Sequence, residues 1–123
     1  MNALDMARTA YTSNVAPIRT ERGIEYDAFA RVTHRLKTAN PSKNYPAYVQ
    51  ALHENRQLWT LLAVDVADEA NSLPQGLRAQ IFYLAEFTAH QTSKVLSLGD
   101  SPESLIEVNT AIMRGLRQQG EQP

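Results

Sequence analysis

The stretch that most limits what this chain can fold into runs from Tyr45 to Asn71, YPAYVQALHENRQLWTLLAVDVADEAN, and contains the one tryptophan, Trp59. Tyr48, Leu52, Asn55, Trp59, Leu62 and Val66 recur in steps of four and three, the spacing that keeps side chains on one face of an α-helix. A long amphipathic helix is therefore predicted, ending near Asn71. Leu58, Leu61 and Val64 lie off that stripe, and a helix that is apolar on several sides has to be covered on more than one of them. Either the rest of a bundle or a partner supplies that cover.

The flanking segments read as further helices. Asn2 to Ser13 has helical spacing, with Leu4, Ala7 and Tyr11 on one side but few large apolar groups, which predicts a short helix prone to fraying. The pattern breaks around Pro17, and Thr20 is placed to cap a helix from Glu21 to Thr38. Ile24, Ala28 or Phe29, Val32 and Leu36 form its apolar face, with Arg31, Arg35 and Lys37 toward water. Asn40-Pro41 stops it, because the residue before proline is driven out of helical geometry. Pro46 fits the opening turn of the central helix.

After the central helix, Ser72 and Gln75 have the spacing of a capping box, with Pro74 in the opening turn of a helix that runs to Leu98. Its seam is Leu77, Ile81, Leu84, Thr88, Gln91 and Val95, and a second face carries Tyr83, Phe87, His90 and Lys94. The tight connection makes the two long helices antiparallel neighbours. Gly99 closes the second of them, Ser101-Pro102 opens a last helix lined by Leu105, Val108, Ile112 and Leu116, and Gly120 to Pro123 reads as a loose tail. No strand alternation or phosphate-binding glycine loop appears. The expected fold is all-α, a bundle of four to five helices around two long antiparallel central ones.

At 123 residues the chain is expected to form one domain with its own core. It has no cysteine, which excludes disulfides and thiolate zinc sites and fits a reducing cytoplasm. The start of the chain lacks the basic and apolar regions of a secretory signal, and Asp65 interrupts the longest apolar run well short of a membrane span. A soluble cytoplasmic protein is expected, with no membrane partner. Net charge is −1, without the strong basic excess that binding to many phosphates draws on.

Catalytic and metal-binding patterns fail when tested. His53-Glu54 opens like the helical zinc-protease motif, but the second ligand position holds Gln57. Glu86 and His90 are one turn apart without matching ligands on another helix. Three histidines in different helices give no nucleophile–base–orienter signature. The chain is thus read as non-enzymatic, with no cofactor. Asn55 is read chiefly as a register-setting core polar group and Arg56 as the partner of an acid such as Glu86 or Glu107, over direct ligand contact. Tyr83 and Phe87 stand outside an already complete seam, so core and partner-binding roles weigh about evenly for them. Leu58, Leu61, Tyr83, Phe87 and His90 are the candidate partner-binding residues.

The run Ala51-Leu52-His53-Glu54-Asn55-Arg56-Gln57-Leu58-Trp59, then Leu62-Ala63-Val64-Asp65, Asn71-Ser72-Leu73-Pro74 and Leu77-Arg78-Ala79-Gln80-Ile81, resembles the FlaF family of flagellar biosynthesis regulators. So do Leu84-Ala85-Glu86-Phe87-Thr88 with His90, and Leu105-Ile106-Glu107-Val108-Asn109 with Ile112-Met113-Arg114-Gly115-Leu116. The resemblance implies a small cytoplasmic helical protein that binds flagellin as a chaperone or adaptor and works alongside the translational regulator FlbT. The residues are compatible with such a role, since an apolar helical groove accepts a partner's amphipathic helix. Two other readings stay open. One is direct contact with flagellin mRNA through the acid-free stretch Ala28 to His53, with Arg31, Arg35, Lys37, Lys43, Tyr45 and Tyr48, although a solvated helix face and loop is the commoner use of such a stretch. The other is a homodimer that covers its own apolar face.

Overall fold

Four helices follow one another along residues 21–121, the part of the chain that the computed structural model describes, with side chains described over residues 26–115. They are α1 (Glu21–Thr38), α2 (Tyr45–Ala67), α3 (Gln75–Leu98) and α4 (Glu103–Glu121). The helix expected over Asn2 to Ser13, the Thr20 cap and the Ile24 side chain lie outside the described residues. Neighbouring helices close a ring in which α1 packs on α2 and α4, and α3 packs on α2 and α4. The other two pairs, α1 with α3 and α2 with α4, face each other across the diagonals. This is an all-α bundle whose two longest helices, α2 and α3, are adjacent and antiparallel.

The ends of α2 show why the chain folds this way locally. Asn44 caps the start, its side-chain oxygen accepting from the Ala47 amide at 3.1 Å, and Pro46 lies in the first turn, where no intrahelical partner is lost. The helix stops at Ala67, four residues short of the expected Asn71. Side chains outcompete the next turn there: Asp68 accepts from the Ala70 amide and Asn71 from the Leu73 amide, while the Asn71 amide group donates to Asp65. Arg78 then covers the exposed carbonyls, donating to Val66 O and Asp68 O.

The capping box expected at Ser72 and Gln75 is not formed. The residue before α3 is Pro74 in extended geometry, without a side-chain cap, because burial of Leu73 in the core carries the chain two residues past Ser72 before it turns helical. Gly99 ends α3 with φ +74°, its amide donating to Val95 O, as expected. Ser101 accepts from the Glu103 amide at the start of α4. That helix continues through Glu121, where a tail was expected from Gly120, because Gln118 and Gln119 carry no helix stop.

All six residues of the central stripe are buried. Around them the core divides in two. One half gathers Phe29, Trp59, Leu62, Val66, Leu73, Ile81, Ala85 and Ile112, with Phe29 and Trp59 edge to face at 5.1 Å. The other gathers Leu36, Tyr48, Ala51, Leu52, Val95 and Leu105. Between them lies a polar layer of Thr33, Asn55, Thr88, Thr92 and Asn109, all buried. The Asn109 amide nitrogen donates to Asn55 Oδ1 at 2.7 Å and Thr33 Oγ1 at 3.0 Å, while its oxygen accepts from Trp59 Nε1 at 2.8 Å. One α4 side chain is thereby tied to α1 and, across the diagonal, to α2.

Candidate partner-binding surface

The five candidate residues stand on two different corners of the ring. On α2, the flank toward α1 is marked by Ala51 and Glu54, which share a cleft with Arg35, Thr38 and Ala39; Glu54 pairs with Arg35 across it. Leu58 and Leu61 continue that line at helical steps of four and three. Both are half-buried and pack on the edge of the Trp59 cluster, so part of their surface already serves the core. Val64, the third off-stripe residue, is exposed.

On α3, the flank toward α2 is marked by Arg78, through its bond to Val66 O, and by Ala79 and Phe82, which line a cleft with Val66 and Ala67. Phe87 is five residues beyond Phe82, about 140° round the helix, and therefore on the flank toward α4. Phe87 is half-buried, His90 is exposed, and Tyr83 is 69% exposed. The helix closes its half of the core without them, through Ile81, Ala85, Thr88, Thr92 and Val95. Leu77, Leu84 and Gln91, expected on that seam, are half-buried at its edge, and Ala85 and Thr92 take their places. No ion pair joins Glu86 to His90, and among the described residues no group of three His, Cys, Asp or Glu side chains gathers as metal ligands would.

Sequence spacing alone does not single out Phe82, which is 43% exposed and belongs to neither stripe of its helix. The signal available for it was that a large aromatic fell outside both. Arg56 is exposed and makes no ion pair with Glu86 or Glu107, contrary to the pairing expected for it. Asn55 is a buried core group whose oxygen accepts from Asn109. Tyr48 is buried, and its phenol ionises above the ordinary tyrosine range because burial disfavours the phenolate and Tyr45 lies beside it. Of the two tyrosines considered as nucleotide-stacking groups, only Tyr45 is at the surface. No helix among the described residues is long and apolar enough to cross a membrane.

Among curated proteins and among solved structures, none matches the chain significantly. A family profile described as "Flagellar protein FlaF" matches residues 7–116, a span that includes every helix face described above. The chain belongs to the FlaF family of flagellar proteins, and its role accordingly lies in flagellar biosynthesis.

Proposed function

We propose that this protein is a non-enzymatic regulator of flagellar biosynthesis that binds flagellin in the cytoplasm as an export chaperone or adaptor. The observation that carries the reading is the outer face of α3, where Tyr83 is exposed and Phe87 half-buried although the helix already has a complete core seam. Aromatic groups left over in this way suit a helix-in-groove contact, in which apolar anchors of a partner's amphipathic helix fill the space beside them. Leu58, Leu61 and His90 are the further contact candidates.

The test is size-exclusion chromatography with light scattering on the protein alone and mixed with monomeric flagellin. A heterocomplex is expected, and Phe87→Ala should weaken it more than it weakens folding. A stable homodimer in both runs, without a heterocomplex, would assign the aromatic face to self-association and turn attention to FlbT or flagellin mRNA. If Phe87→Ala instead removed several kcal/mol of stability and left the affinity of the folded molecule intact, Phe87 would be a core aromatic and the groove would lie elsewhere.

A further inference from the structure

On the outer side of α2, His53, Arg56, Gln57, Thr60 and Leu61 line a mainly apolar cleft of about 470 Å³. Its charge is unbalanced. Arg56 is exposed and, among the described residues, has no ion pair or side-chain hydrogen bond; only its backbone carbonyl is engaged, accepting from the Thr60 hydroxyl at 2.9 Å. The neighbouring acid on the helix, Glu54, is turned to the α1 flank and held by Arg35. Among the described residues no acidic side chain lines the cleft, and the chain from Ala28 to His53 contains none. A guanidinium beside an apolar wall is a strong docking group once a partner excludes water, because its planar fork matches a carboxylate at two points and the lowered dielectric strengthens the pairing.

We propose that this cleft takes a carboxylate-bearing helical segment of flagellin, the acid pairing with Arg56 and an aliphatic side chain of the same segment packing on Leu61. The inference rests on the flagellin-binding reading and adds to it the chemistry of the segment bound. Charge complementarity selects the acid, and Leu61, which lines the same cleft, offers an apolar contact beside it. A protein segment fits better than a nucleic-acid strand because the chain carries a net charge of −1, without the basic excess that binding to several phosphates draws on.

Monomeric flagellin is titrated by calorimetry into the full-length protein and its Arg56→Glu, Arg56→Lys and Phe87→Ala variants, at low and at physiological salt. Arg56→Glu is expected to weaken binding by about tenfold or more and to flatten its salt dependence, and Arg56→Lys to restore part of the loss. The melting temperature of both Arg56 variants should stay at the wild-type value, since no internal contact of the Arg56 side chain is removed. Binding within twofold of wild type for Arg56→Glu, alongside a loss for Phe87→Ala, would overturn the cleft assignment and leave the flagellin reading standing. Absence of flagellin binding by the wild-type protein would overturn both. A salt-steep affinity for flagellin mRNA lost in Arg56→Glu, with flagellin binding unchanged, would make the cleft a nucleic-acid site and also overturn the proposal.

Discussion

Replacing Asn109 with alanine tests whether the polar layer holds the bundle together. The change removes three hydrogen bonds at once, those to Asn55, Thr33 and Trp59, each worth roughly 0.5–1.5 kcal/mol net. It also strands groups that water does not reach: Asn55 is 0% and Trp59 1% exposed. An indole N–H left without an acceptor at such a site costs about 1–3 kcal/mol by itself. Thr33 only accepts in its bond and keeps its own hydroxyl proton to donate elsewhere, so that bond contributes at the low end. The expected loss is about 3 kcal/mol, a large share of the roughly 5–15 kcal/mol that stabilises a domain. Urea unfolding followed by far-UV circular dichroism reads it directly. The double-mutant cycle of Asn109→Ala with Trp59→Phe should show about 1–2 kcal/mol of coupling, because phenylalanine leaves no donor to strand. A loss below about 1 kcal/mol with no coupling would refute the reasoning and mean that the layer rehydrates or repacks freely.

Two further outcomes follow from local geometry. Gly99→Ala should cost about 1 kcal/mol through backbone strain alone, since φ is +74° while a Cβ there would meet nothing within 4 Å; a neutral result in urea unfolding would show that the α3 terminus re-forms in another conformation. Tyr48 keeps its proton more tightly folded than unfolded, so its contribution is fully present below the unfolded value near 10 and is lost as pH rises through the higher folded value. Tyr48→Phe should therefore make the fall of the melting temperature above pH 10 shallower, and an unchanged slope would sink that assignment.

The central stripe was legible because burial and helical period select the same residues from Tyr48 to Val66. The ends were less so. Asp68 and Asn71 terminate α2 through side-chain bonds to nearby amides, and a run of helix-compatible residues gives no warning that these bonds win. Arg78 caps α2 from the next helix, a contact that depends on how tightly the connection closes. The burial of Asn55 could be read from its place in the stripe, whereas its partner Asn109 could not, because the two are 54 residues apart and α2 and α4 meet only across the diagonal. The pairing of Arg56 with an acid rested on a rule of thumb about charged neighbours, and Arg56 forms no ion pair with Glu86 or Glu107.

The placement of the candidate surfaces constrains any partner that uses more than one of them. Leu58 and Leu61 lie on the α1-facing flank of α2, while Phe87 lies on the α4-facing flank of α3, with the width of two helices between them. Helix axes in contact are about 8–10 Å apart, so a single helix seated in one groove cannot also fill the other. The outer face of α2 and α3 connects them: it carries the Arg56 cleft, with Leu61 at one side, and the cleft that Phe82 forms with Val66 and Ala67. A segment of about 20 helical residues, some 30 Å long, laid across this face would reach from the Leu61 side to Tyr83 without opening the core. Under that geometry Phe82 and Arg56 sit mid-path and Tyr83 at the end, while Leu58 remains with the Trp59 cluster it already packs against.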